Sequence, residues 1–311
     1  MKKIAKIAGN LLMIAAIIFL IKKIMDMDAD LSQLRSPDAI GAFSINLVIQ
    51  TILIIVGCIP WLMFTQSLSG QKIPFSAAMP VYTRSNVYKY VPGNVFQYVG
   101  RNKLAFDMSI SHVDVACATI LDVLFCVFWT GIIAVVLLGG RIAGLLGKYG
   151  RNILIVGIAG IILAAAAFIF IRIRFGDKLK EYLSRYSKAF EKQNRKSLMT
   201  GIFYYLASNI VSAAMYFACL RLIMGSSASL SELTALTGAF MFAWIIGFVT
   251  PGAPGGIGIR EGVMIFVCGE TYQERIILFV LIMRFASVLA DLVSFAAGQI
   301  YLKKRSKRQR I

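Results

Sequence analysis

Residues 251–262 read PGAPGGIGIREG, placing two prolines, five glycines and the adjacent Arg260 and Glu261 between two strongly apolar segments. Proline and glycine free backbone N–H and C=O groups that find no water in hydrocarbon. Such chain persists at membrane depth only where protein buries it or a wet cavity solvates it. A charged side chain at that depth is costly and marks a substrate path. These residues leave two readings open: a tight turn outside the membrane with an interfacial Arg260, or a re-entrant loop. Other charges interrupt apolar runs. Arg284 and Asp291 stand seven apart, two turns along one helix face, and Asp122 lies inside an earlier run. They serve either a direct substrate role or a mutual neutralisation that holds a bundle together. No His/carboxylate cluster and no nucleophile with an adjacent base accompanies them, so the residues lend no support to catalysis and imply no metal or cofactor.

The elements that must position these groups are membrane helices. Hydrophobic residues make up 58% of the 311, the mean hydropathy is +0.75, and apolar runs recur at about the 20 residues a bilayer requires. The expected fold is an all-α polytopic membrane protein of about six to eight transmembrane helices with Gly/Pro-broken re-entrant segments. It forms a single integral membrane domain over 1–311, with halves at about 1–150 and 151–302 and a basic tail at 303–311. Spans are expected near 4–24, 42–63, 113–138, 152–171, 198–222 and 276–302, with a broken pair from 232 to 269. Lys22 and Lys23 follow the first run and no small-residue cleavage site is evident, so it reads as a retained helix. The five cysteines sit in apolar runs without metal-ligand spacing and read as packing residues; the single histidine, His112, reads as a polar cap or interface residue.

Lys and Arg predict the orientation. Three lie before residue 7, five between 64 and 112, nine between 172 and 197 and six in the tail, together 23 of the 33, and these segments are expected on the cytoplasmic side with both termini. Full crossings must then be even in number. The pair at 232–269 therefore either enters and leaves on the outer side or crosses twice. The net charge of +18 is absorbed by this pattern, and no soluble basic domain or recognition motif is present, so nucleic acid is excluded as a partner. Residues 172–196 read as an amphipathic interfacial helix with Phe175, Leu179, Tyr182, Leu183, Tyr186 and Phe190 on one side, serving as a topogenic loop or in lipid sensing.

A second broken stretch runs from Ile73 to Lys103, interrupted by Pro74, Pro80 and Pro92, with Arg84, Lys89 and Arg101 among aromatics. It suits a hairpin at or dipping below the cytoplasmic interface. One interrupted element in each half, on opposite faces, is the pattern expected of inverted-repeat transporters.

At these two places the chain resembles a known family. KYVPGNVFQYVGR (89–101) and PGAPGGIGIREG (251–262) are similar to the paired signatures of the lysylphosphatidylglycerol synthase transmembrane-region family, which includes the membrane half of the bacterial multiple peptide resistance factor. The likeness extends from the first span to about Arg284; Ala253 and Pro254 depart from the usual shorter PGG-type run. The resemblance implies a lipid flippase in a bacterial plasma membrane, linked to resistance against cationic peptides. Members with the full architecture make aminoacylated phosphatidylglycerol in a cytosolic domain and move it outward. That soluble domain is expected to be missing here, leaving a stand-alone translocase or a partner of a separately encoded lipid-modifying enzyme. Partners are then membrane phospholipid, that enzyme and, in a homo-oligomer, further copies of the chain.

On this reading Arg260 binds the lipid phosphate through planar, bidentate hydrogen bonds. Gly255, Gly256 and Gly258 lead into a helix whose free N–H groups face the same anion. Glu261 attracts a cationic head group or complements the helix dipole. Arg284, Asp291 and Asp122 complete a polar groove, and Lys89, Asn94 and Arg101 serve its cytoplasmic entrance. Two rival classes are a secondary transporter for a small solute, with Asp122 or Asp291 relaying protons, and a membrane-embedded enzyme acting on polyprenyl-phosphate carriers. A purely structural subunit is a third reading.

Overall fold

Ser36 accepts a hydrogen bond from the Ala39 N–H (3.2 Å), and Pro37 takes the first helical position, where its missing N–H costs nothing. So begins α1 (Pro37–Val56) in the computed structural model, which describes residues 31–90, 96–139, 189–249, 259–268 and 272–308, with single positions between 141 and 187. There follow α2 (Cys58–Ser69), α3 (Phe75–Asn86), α4 (Phe96–Phe106), α5 (His112–Leu138), α6 (Arg195–Met224), α7 (Leu230–Val249), α8 (Ile259–Cys268) and α9 (Gln273–Arg308). No strand occurs among the described residues, and five helical stretches there are long and apolar enough to cross a membrane. The protein is an all-α polytopic membrane protein. The expected spans at 4–24 and 152–171 lie outside the described residues.

α1 and α2 form one 33-residue span with a joint at Gly57. Pro60 withholds an N–H from the helical ladder just past that joint, and the Tyr204 hydroxyl donates to the Leu53 carbonyl (3.0 Å) beside it. A Cβ on Gly57 would stand 3.0 Å from the Tyr204 hydroxyl oxygen and 3.3 Å from that of Tyr82, so glycine lets both tyrosines reach the joint.

Two helix pairs each enter and leave the bundle at one end; in the first, neither helix is long enough for a full crossing. α3 and α4, with 12 and 11 residues, run about 18 and 16 Å each at 1.5 Å per residue, roughly half the hydrocarbon thickness. They form a hairpin: Gln71 before α3 donates to the Ser109 carbonyl after α4 (3.1 Å), so both legs open at one end of the bundle. Asn194 and Ser197, at the start of α6, reach the Ser67 and Met63 carbonyls near the end of α2 at that same end. The second element is α7 followed by the 10-residue α8. Ser229 and Glu232 make reciprocal hydrogen bonds at the start of α7, a capping box. Tyr272, just before α9, donates to the Ser227 carbonyl (3.0 Å) and Glu232 (3.1 Å), and Arg275 donates to the Met224 carbonyl at the end of α6 (2.6 Å). The α7–α8 element therefore opens at the opposite end.

Among the described residues, α1–α2, the α3–α4 hairpin and α5 are followed by α6, the α7–α8 pair and α9, and the two pairs open at opposite ends. Two apolar cores close those ends. Trp61, Phe64, Leu68, Ile110 and Leu121 pack one; Leu233, Leu236, Phe240, Phe279 and Ile282 pack the other. Residues Tyr182, Tyr186 and Ala189 of the basic segment pack on the first core. Phe190, expected on the same apolar side, is 67% exposed, because Ala189 takes the inward position instead. Phe175, Leu179 and Leu183 lie outside the described residues. His112 is the first residue of α5; it hydrogen-bonds Asn102 and stacks on Phe106 with ring centroids 4.0 Å apart. Cys58, Cys117 and Cys219 are buried free thiols in the packing.

Candidate functional site

The tip of the α3–α4 hairpin carries the first charged cluster. α3 gives way after Asn86 to a single 3-10 turn over Val87–Tyr90, whose Val87 and Tyr90 pack on Val288 and Phe295 of α9. That turn delivers Lys89 to Asp291: Nζ lies 2.6 Å from Oδ2, and the Tyr90 hydroxyl donates to the same oxygen at 2.5 Å. Asp291 is fully buried, and its Oδ1 accepts no hydrogen bond among the described residues. Lys89 keeps about a third of its side chain accessible.

On the returning leg, Arg101 is 3% exposed and every guanidinium nitrogen has a partner. Nη1 donates to Asp122 Oδ2 (3.1 Å), Nη2 to Asn86 Oδ1 (2.9 Å) and Nε to Ser85 Oγ (3.1 Å). The Tyr82 ring lies beneath it with its centroid 4.0 Å from the guanidinium carbon, and Tyr205 donates to the second oxygen of Asp122. Asp122 is the tenth residue past His112, roughly 15 Å along α5. This network ties the hairpin to α5 and α6 near mid-membrane.

Between the apolar cores lie two adjoining cavities. The first, about 190 Å³, brings together Lys89 of the hairpin tip, Arg260 of α8 and Arg284 of α9, with Gln50, Asn86 and Tyr216. Arg260 is the second residue of α8, and Arg284 stands eleven residues into α9, roughly 16 Å from its start. Three cations from three separate elements therefore meet at half depth. The second cavity, about 230 Å³, has no charged residue among the described residues of its lining; it presents Tyr82, Tyr204, Tyr205, Ser208, Asn209 and Ser212. Gln50, Asn86, Tyr216 and Trp244 border both. A third space, an apolar groove of about 670 Å³ along α4 and α5, borders neither and is lined by Val99, Ile120, Val123 and Leu124 with Lys103 at its edge.

The structure gathers Lys89, Arg260 and Arg284 around one space. It sets Arg101 and Asp122 in an internal ion pair, whereas an entrance position was expected for Arg101; the hairpin penetrates to mid-bundle, so its charged residues lie deep. Asp291 pairs with Lys89. Asn94, Gly255, Gly256 and Gly258 lie outside the described residues. Glu261 belongs to α8, and its side chain is likewise outside them. The polar wall of the second cavity was not anticipated. Its signal is present in the sequence: Tyr205, Asn209, Ser212 and Tyr216 recur at helical spacing through an apolar span.

The described residues form a helical membrane bundle in which two helix pairs open at opposite ends and Lys89, Arg260 and Arg284 line a cavity where they meet. The chain belongs to the family described as the lysylphosphatidylglycerol synthase TM region, whose model matches residues 7–294. No curated protein and no solved structure matches it.

Proposed function

We propose that this protein is a lipid flippase, moving an anionic or aminoacylated phospholipid of the lysylphosphatidylglycerol kind between leaflets. Family membership supports a lipid-handling role, and one observation carries the reading further: Lys89, Arg260 and Arg284 line a single cavity inside the bundle. A phosphate crossing hydrocarbon needs such a station, because bare charge is costly there and guanidinium groups bind phosphate in planar, paired hydrogen bonds. The adjoining cavity, lined by hydroxyls and amides, takes the rest of the head group, while the acyl tails stay in lipid. The proton-relay reading is weaker, since Asp122 and Asp291 are both engaged by cations and hydroxyls.

Further parts of the proposal are a bacterial plasma membrane with both termini cytoplasmic, a contribution to resistance against cationic peptides, and a separately encoded enzyme supplying the lipid. The decisive test reconstitutes the chain into liposomes with tail-labelled phosphatidylglycerol and follows quenching of outer-leaflet label. Arg260→Ala is expected to abolish exchange while the purified protein keeps its elution volume and helical content. Unchanged exchange removes Arg260 from the mechanism.

A further inference from the structure

We infer, resting on the flippase reading, that Asn86 is a specificity-determining residue of the paired cavities: its amide donates a hydrogen bond to an acceptor oxygen of the lipid head group, and the Arg101–Asp122 pair positions that amide. Asn86 is the last residue of α3, at the hairpin tip; it is half-buried and lines both cavities. Arg101 Nη2 donates to its Oδ1 at 2.9 Å. A guanidinium carries donors only, so the oxygen edge of the amide must face Arg101; the flipped amide would set N–H against N–H. The edge left for a ligand in either cavity is therefore the NH2 group.

Arg101 acts through this amide because its other nitrogens are engaged. Nη1 is held by Asp122 and Nε by Ser85, the Tyr82 ring covers the guanidinium, and Tyr205 holds Asp122 in turn. The direction of the amide is thus set from α5 and α6, across the hairpin. Gln50 of α1, Tyr216 of α6 and Trp244 of α7 border both cavities together with Asn86, so four hydrogen-bonding side chains from four helices ring the junction. A head group that occupies both spaces passes through this ring. Phosphodiester, ester and hydroxyl oxygens all accept from an N–H held there, and a donor fixed in advance loses little freedom on binding.

The experiment measures thermal stabilisation of the detergent-solubilised full chain by phosphatidylglycerol and by glycerol 3-phosphate, which carries similar oxygens without acyl chains, together with exchange of labelled phosphatidylglycerol in liposomes. Asn86→Asp keeps an acceptor for Arg101 and replaces the donors by an oxygen. It is expected to melt like the natural chain without lipid and to bind phosphatidylglycerol about tenfold more weakly. Because that change also adds a charge, the neutral Asn86→Ala is measured in the natural chain and in an Arg101→Met, Asp122→Leu background. Alanine is expected to weaken binding about tenfold in the natural chain and less than about twofold in the background, where the amide has lost its orientation. Equal losses in the two backgrounds overturn the positioning by Arg101, and unchanged binding by both Asn86 variants overturns the inference as a whole. Binding that depends on Asn86 without lipid exchange, or that is confined to glycerol 3-phosphate, leaves the inference standing and overturns the flippase reading instead. Binding of neither ligand by the natural chain overturns both.

Discussion

Arg101 and Lys89 come from the same motif, yet their surroundings assign them different work. Arg101 is saturated by Asp122, Asn86 and Ser85, so it holds the hairpin in place. Lys89 touches Asp291 and still borders the cavity, so it is available to a ligand. Removing one member of a buried pair strands the other charge, which costs about 3–5 kcal/mol, whereas replacing both by apolar residues of similar size is often neutral. Asp122→Ala is therefore expected to lower stability by roughly that amount in thermal or denaturant unfolding. The double variant Arg101→Met, Asp122→Leu should recover most of the loss, and the coupling between the two sites gives the strength of the pair. Lys89→Met is expected to weaken binding of phosphatidylglycerol more than it weakens the fold, read from lipid titrations at fixed protein concentration.

At the scale of elements, close approach depends on small residues. α5 and α7 meet at Gly238, where a Cβ would stand 2.7 Å from the Leu138 nitrogen and 2.9 Å from the Ala134 carbonyl oxygen. Both neighbours are backbone and cannot rotate away, and lipid supplies no hydrophobic force to compensate for lost packing. Gly238→Ala is expected to push the helices apart and destabilise by about 1–3 kcal/mol. Gly262→Ala is the control: nothing lies within 4 Å of its Cβ, so the change should be neutral or gain up to about 1 kcal/mol from helix propensity. Melting temperatures of the two purified variants check both. The spans at 42–63, 113–138, 198–222 and 276–302 were legible in the apolar runs, and the proline-rich, polar stretch from Ile73 to Lys103 marked a hairpin. Its depth was not. Depth depends on which side chains answer its charges, and those lie 21 residues away at Asp122 and 202 residues away at Asp291.

For the molecule as a whole, the hydrogen bonds of Gln71 and Tyr272 set the two broken elements on opposite ends. The end that holds Gln71 also collects the start of α6, which follows the basic segment before residue 197. The end of α9 joins them: Asp291 meets the hairpin tip, and a Cβ on Gly298 would stand 3.3 Å from the Pro80 Cα, nearer the hairpin's mouth. The mouth of the α3–α4 hairpin, the start of α6 and the C-terminal end of α9 thus lie on one side, the side that the distribution of Lys and Arg predicts to be cytoplasmic. In a chain freed of its own cysteines, Gln71→Cys and Ser229→Cys are expected to react with an impermeant maleimide from opposite sides of sealed vesicles, Gln71→Cys from the cytoplasmic one. Labelling of both from one side would contradict the arrangement.

By itself the sequence determined the environment, the family signatures and the order of elements, because hydropathy, proline and glycine act through neighbours in the chain and leave a local trace. It also marked Arg260 and Arg284 as costly cations that need a purpose. Only the tertiary structure decided which charges neutralise one another and which face an open space. That choice is made by side chains on different helices meeting at half depth, and no spacing along one strand of sequence records it. The polar wall of the second cavity belongs to the same class of fact: its hydroxyls follow a helical period that is visible in the chain, but what they face was set by the hairpin folding in against them.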